Sequence, residues 1–148
     1  MTTTTDHQTS TEPTPLHDVA VKEIMHHGIV SCAQSAGPAE IARIMAGSKV
    51  HCVAVIGLAQ GDRAAPVIWG IVSDLDLLQA AIGTGAPPTA ATLARQPVIS
   101  VRPTVSVHEA AQVMVANGVS HLVVVDPEEL TPVGIVSSLD VAGVLADV

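Results

Sequence analysis

The segment Trp69-Gly70-Ile71-Val72-Ser73-Asp74-Leu75-Asp76 returns 64 positions later (Asp76 to Asp140) as Val133-Gly134-Ile135-Val136-Ser137-Ser138-Leu139-Asp140. Each copy runs an apolar strand into Ser-x-x-Asp at the head of an apolar helix. A duplicated chain must build one topology twice, and the apolar surface that one half leaves bare the other can cover. The corner itself has chemical potential. Unpaired backbone N–H groups at a helix start, together with a carboxylate, can hold a small polar ligand.

The duplication extends well beyond that segment. Ile24-Met25-His26-His27-Gly28-Ile29-Val30-Ser31 aligns with Leu93-Ala94-Arg95-Gln96-Pro97-Val98-Ile99-Ser100 at a shift of 69 (Ile24 to Leu93). The same shift carries Glu40-Ile41-Ala42-Arg43-Ile44-Met45 onto Glu109-Ala110-Ala111-Gln112-Val113-Met114. One residue is then gained, and His51-Cys52-Val53-Ala54-Val55 meets His121-Leu122-Val123-Val124-Val125. A longer connection over residues 57–66 accounts for the drop to 64 (Asp76 to Asp140).

Within each half the periodicities give the order strand–helix–strand–strand–helix. Residues 29–32 and 98–101 are short runs rich in β-branched side chains, which read as first strands. Ser106-Val107-His108-Glu109 is a capping box, and Gly37-Pro38 is the equivalent helix start in the first half. Ile41, Ile44 and Met45, with Ala110, Val113 and Met114, recur at helical spacing and should face a core. Residues 53–56 and 122–125 read as second strands, and 67–72 and 133–136 as third strands. Each third strand contains a Gly, which weakens it but admits the close approach of a ligand or another backbone. The last helices present Leu75, Leu78 and Ile82, and Leu139, Ala142 and Leu145. A three-stranded sheet with two helices leaves one sheet face bare. The halves are therefore expected to pack sheet against sheet around a pseudo-twofold axis.

Composition narrows the function classes. Nearly half of the 148 residues are hydrophobic, yet there is one Trp and no Phe or Tyr, so the core must be aliphatic. Six Lys and Arg face fourteen Asp and Glu, and the net charge of −8 opposes nucleic acid and anionic membranes as partners. No apolar run is long enough to span a bilayer. The first 17 residues, rich in Thr, Ser and Pro, read as a disordered tail without the features of a secretory signal. Cys32 and Cys52 have no metal or redox spacing and read as buried, inert thiols. A cytoplasmic protein is expected. His26-His27 lack companions at ligand spacing, so no metal site is expected. No nucleophile–base set, P-loop or glycine-rich dinucleotide fingerprint is present, and neither an enzyme nor a resident cofactor is expected.

Ile24-Met25, the Glu-x-x-x-x-Met of both first helices, His-x-Val-x-Val from His51 and His121, and the doubled Gly-Ile-Val-Ser-x-Leu-Asp form a recognisable set. Over about residues 18 to 147 it resembles a tandem pair of cystathionine-β-synthase (CBS) domains, a Bateman module. The resemblance implies an α/β (α+β) fold of two βαββα repeats packed sheet to sheet with pseudo-twofold symmetry. The boundaries would be a tail at 1–17, repeat 1 at 18–83, a linker at 84–91 and repeat 2 at 92–148. It also implies two clefts that take adenosine compounds (AMP, ADP, ATP, NAD or S-adenosylmethionine), dimeric assembly, and regulation of another protein.

By the same resemblance, one cleft joins Ser73 and Asp76 to Val98, Ile99, Ser100, Ser120 and His121. The other joins Ser137 and Asp140 to Ile29, Val30, Ser31, Val50 and His51. The Asp would hold the ribose, since a carboxylate can accept both sugar hydroxyls, and the helix start would favour a phosphate. The residues themselves admit a second reading: Ser-x-x-Asp is also a helix cap that needs no ligand. His51 and His121 are phosphate contacts in one reading and surface polar residues in the other, and neutral imidazole anchors phosphate weakly. Arg102 faces Ala33 in the alignment, so fixed positive charge is scarce. A triphosphate then fits poorly, while AMP or S-adenosylmethionine fits better.

The function expected is a stand-alone regulatory sensor for an adenosine ligand, AMP foremost, that signals to an unidentified partner protein. A homodimer through the last helices, near Gln79-Ala80-Ala81 and Ala142-Gly143, is expected. The alternative is a ligand-independent dimerisation scaffold whose Asp corners only cap helices.

Overall fold

The computed structural model describes residues 15–58 and 66–147. Most of the expected tail (residues 1–14) lies outside the described residues, as does much of the long connection of the first half. Pro15–His17 form a 3-10 turn, and Leu16 is buried in a core, so apolar anchoring begins before residue 18.

Helix α1 (Val21–Ile24) and the two-residue strand β1 (His26–His27) precede β2 (Ser31–Ala33), α2 (Pro38–Ser48), β3 (Cys52–Leu58), β4 (Pro66–Ser73) and α3 (Asp74–Ile82). Helix α4 (Ala90–Leu93) then leads to β5 (Ser100–Val101), α5 (Val107–Asn117), β6 (His121–Val125), β7 (Pro132–Ser137) and α6 (Ser138–Ala146). The βαββα order appears in both halves, as the periodicities require. In each, the first strand runs parallel to the second, and the second antiparallel to the third. Both ladders carry an irregularity at the same place, just past the Val55–Gly70 and Val124–Gly134 pairs.

The short leading segments cross over. Val21 of α1 is buried with Val107, Ala110, Met114, Leu122 and Val136 of the second half. Its N–H donates to the Val105 carbonyl at 2.9 Å. Ala90 of α4, its counterpart in the repeat, is buried with Ile41, Met45, Val53 and Val72 of the first half, and its N–H donates to the Ala36 carbonyl at 2.8 Å. Strand β1 completes the exchange by pairing antiparallel with β7, which makes the second sheet four-stranded, in the order β1-β7-β6-β5. Four-residue helices carry too little periodicity to be read from sequence, and their partners lie in the other half.

Strand alternation brings the sheets face to face. Val53 and Val55 point into one core, and Leu122 and Val124 into the other. Their neighbours Ala54 and Val123 therefore point the opposite way, yet each is only 1% exposed. Each bare sheet face is thus covered by the other half, as expected. The last helices divide their apolar residues between the core and the surface. Leu77, Val141 and Val144 face inward, while Leu75, Leu78 and Ile82 of α3 and Leu139 and Leu145 of α6 are exposed.

Candidate ligand site

Each Ser-x-x-Asp corner closes on itself. Ser73 caps α3, its Oγ accepting from the Asp76 N–H at 3.2 Å, while the Ser73 N–H and Oγ–H both donate to Asp76 Oδ2 at 2.9 Å. Ser137 and Asp140 repeat this at the start of α6, with distances of 3.2, 2.8 and 2.9 Å. The reciprocal bonds satisfy orphan donors at both helix starts. The capping role of both corners is therefore present in the folded chain.

The remaining carboxylate oxygens meet basic groups carried by the crossed-over segments. Arg95 Nε donates to Asp76 Oδ1 at 3.0 Å, and His26 Nε2 lies 3.1 Å from Asp140 Oδ1. His26 and Arg95 are partners in the repeat alignment. Arg95 reaches Asp76 because its backbone lies along β4, with Arg95 N–H donating to the Ile71 carbonyl at 2.9 Å. Gly70 allows that approach, since a Cβ there would stand 2.7 Å from Ala94 Cβ and 2.9 Å from the Arg95 carbonyl oxygen. Gly134 does the same beneath His26. The Gly in each third strand thus admits another backbone.

Between the Asp76 corner and the second half lies a cavity of about 590 Å³, within the range of small-molecule sites. Its walls are largely apolar, with Ile71, Val98, Ile99, Met114, Val119 and Val141 among them. Ser73, Asp74, Asp76, Arg95, Ser120 and His121 supply polar groups. Of the first expected cleft, the fold brings Ser73, Asp76, Val98, Ile99, Ser120 and His121 onto this one hollow, and Ser100, in β5, does not line it. The second expected set fares differently. Ser138, next to Ser137 at the start of α6, also lines the cavity of about 590 Å³, while Ser137, Asp140, Val30, Ser31, Val50 and His51 line neither it nor the smaller hollow. Ile29 lines a separate hollow of about 370 Å³ beside Ile56, Val67 and Pro132. His51 pairs within its own half instead, its Nδ1 lying 3.1 Å from Asp74 Oδ2.

Sequence reasoning passed over Arg95. The signal lay in the alignment, which sets a basic residue at the same place in both halves. No other Lys or Arg lines the cavity. His121 adds no fixed charge: burial lowers its pKa below the ordinary histidine value, against the pull of nearby Asp74. Its Nδ1 lies 3.0 Å from Ser120 Oγ. Burial, reinforced by the Asp74 and Asp140 carboxylates, pushes the Cys52 thiol up to about 12, and burial followed by Glu40 raises that of Cys32. Both thiols are unionised at neutral pH and supply no nucleophile. Among the described residues, no cluster of His, Cys, Asp or Glu could hold a metal ion, and no helix is long and apolar enough to cross a membrane.

A sequence profile of the CBS domain matches residues 21–83 and again residues 90–147. No curated protein matches the chain. Among solved structures, the chain is similar to the CBS domain pair of protein MJ0100 in complex with 5′-methylthioadenosine and S-adenosyl-L-methionine. That likeness has a TM-score of 0.71 at 20% identity, over 87% of this chain and 97% of that one. It is similar also to the CBS domain protein PAE2072 from Pyrobaculum aerophilum complexed with AMP, with a TM-score of 0.64 at 28% identity over 88% and 100% of the two chains. A third likeness is to the CBS domain of the bacterial CNNM/CorC family Mg2+ transporter in complex with ATP, with a TM-score of 0.67 at 20% identity over 88% and 89%.

Proposed function

The chain belongs to the CBS domain family, and on that premise we propose that it is a regulatory module that binds one adenosine-containing ligand in the Asp76 cavity. Occupancy is passed to another protein. The observation that carries this reading is the cavity itself, where a polar corner from the first half meets apolar strand residues of the second. Apolar walls suit a purine base, the Asp76 corner suits a sugar hydroxyl, and the start of α3 suits an anionic group. Solved relatives with AMP, ATP or S-adenosyl-L-methionine bound support the ligand class.

Charge orders the candidates. Asp74 and Asp76 stand with Arg95 at the polar end, in a chain of net charge −8. AMP, or S-adenosylmethionine with its cationic centre, suits that balance better than ADP, NAD or metal-free ATP. The domain boundaries at 18–83 and 92–148, the homodimer, the cytoplasmic location and a non-catalytic role belong to the same proposal.

A second reading has its own support. Asp76 and Asp140 already cap helices and contact basic residues, so a scaffold without ligand also accounts for both carboxylates. A thermal-shift screen of AMP, ADP, ATP, NAD and S-adenosylmethionine separates the two. A ligand at a hundredfold its Kd stabilises the fold by about 2.7 kcal/mol. No shift with any of the five leaves the scaffold.

A further inference from the structure

The polar end of the cavity holds one permanent cation, and only part of it is in use. Arg95 Nε donates to Asp76 Oδ1, while its two Nη atoms make no hydrogen bond among the described residues and its side chain is 55% exposed. A guanidinium with a free fork beside an apolar hollow is suited to one phosphate or carboxylate, gripped through two parallel bonds. Asp74 lines the same cavity and opposes a second or third negative charge.

Asp76 faces the complementary restriction. Its oxygens accept three bonds, from Ser73 N–H, Ser73 Oγ–H and Arg95 Nε, out of roughly four acceptor positions. One sugar hydroxyl can be added to that arrangement. A diol gripping both oxygens cannot be, unless Arg95 lets go. The Arg95 backbone is tied to β4 through two bonds with Ile71, so what is free to move is the side chain.

We propose, resting on the adenosine reading of this cavity, that Arg95 is its specificity-determining residue. In the empty chain it occupies Asp76. When a nucleoside bearing a single anionic group enters, a ribose hydroxyl takes Asp76 Oδ1 and the guanidinium turns onto the phosphate or carboxylate. Arg95 thereby rewards an anionic ligand and taxes an uncharged one, which can grip both Asp76 oxygens only by displacing it without offering a new partner. The selectivity belongs to this site, because Asp140 carries His26 in the equivalent place and neither residue lines a cavity.

The test is calorimetric titration of the full chain with AMP and with adenosine, without divalent metal. It compares the wild type with Arg95→Gln and with Arg43→Gln, an exposed residue outside the cavity whose loss changes the net charge equally. The expected result is a wild-type preference for AMP. Arg95→Gln should weaken AMP roughly tenfold or more and leave adenosine equal or tighter, with Arg43→Gln behaving as wild type. Equal weakening of both ligands, or an AMP preference that survives Arg95→Gln, overturns the inference. If Arg95→Gln does not fold by circular dichroism, Arg95→Lys decides, with AMP expected to lose more than adenosine and parallel losses refuting the role. A wild type that binds both ligands equally, or neither, refutes Arg95, whereas the adenosine site itself falls only if none of the five screened ligands shifts the melt.

Discussion

His26 Nε2 stands 3.1 Å from Asp140 Oδ1, in the place that Arg95 Nε takes on Asp76. The two contacts are images of one another across the duplication, yet Asp76 and Arg95 line the 590 Å³ cavity while Asp140 and His26 do not. Val141 and Gly118, which line the cavity, are matched in the repeat alignment by the bulkier Leu77 and Lys49. Ligand binding should therefore saturate at one molecule per chain. Asp140→Ala should leave affinity within about twofold while costing about 1 kcal/mol through the lost cap bonds. Calorimetry that fits two sites of equal affinity would remove this asymmetry.

Gly70 offers a test of the strap that carries Arg95. An added Cβ would meet the Ala94 Cβ at 2.7 Å and the Arg95 carbonyl at 2.9 Å, neither being the flexible end of a long side chain. Gly70→Ala should destabilise by about 1–3 kcal/mol through overpacking and weaken ligand binding by displacing Arg95. Urea melts read the first effect and titration the second. A variant as stable as wild type would show that the strap yields freely.

How much of this was legible beforehand follows from where the information lies. The βαββα order came from local periodicity and short β-branched runs, and the sheet-on-sheet packing from the face that a three-stranded sheet with two helices leaves bare. The grouping of Ser73 and Asp76 with Val98, Ile99, Ser120 and His121 came from family resemblance, since no spacing in a single chain reveals a contact between halves. The crossover of α1 and α4 was invisible, as four residues carry no helical period. Arg95 was overlooked for a related reason: its partner is 19 positions away, and only the strap over Gly70 brings the two charges together. Which of the apolar residues of α3 face outward was not legible, because a helix with Leu75, Leu77, Leu78 and Ile82 is apolar on more than one side.

His121 makes stability depend on pH in a stated direction. Burial lowers its pKa, with Asp74, Asp140 and Asp76 opposing that shift and His51 adding to it. The unfolded chain takes up a proton near 6.5, the ordinary value, while the folded chain does so only at lower pH. Between those values the unfolded state holds more protons, so stability rises with pH. This contribution is complete above the ordinary value and is lost as pH falls through it toward the folded one. The drop in Tm from pH 7.5 to 5.5 should accordingly be smaller for His121→Gln than for wild type. Matching slopes would show that the ring protonates as readily in the fold as out of it.

The last prediction concerns assembly. Leu75, Leu78 and Ile82 of α3 are 54%, 61% and 85% exposed, and Leu139 and Leu145 of α6 are 65% and 51% exposed. Scattered apolar residues are ordinary on a surface, but several on two equivalent helices mark a contact face. The duplication relates α3 to α6, so a second copy can meet both helices with the same chemistry. Small residues beside them, Ala81 and Ala142-Gly143, let helices approach closely. We expect a homodimer at micromolar concentration in sedimentation, with Leu78→Asp and Leu145→Asp each shifting it toward monomer. Since both side chains are more than half exposed, the monomeric variants should keep the wild-type circular dichroism spectrum. A wild-type chain that sediments as a monomer at that concentration would refute the interface. Variants that lose both assembly and fold would instead assign these leucines to the core.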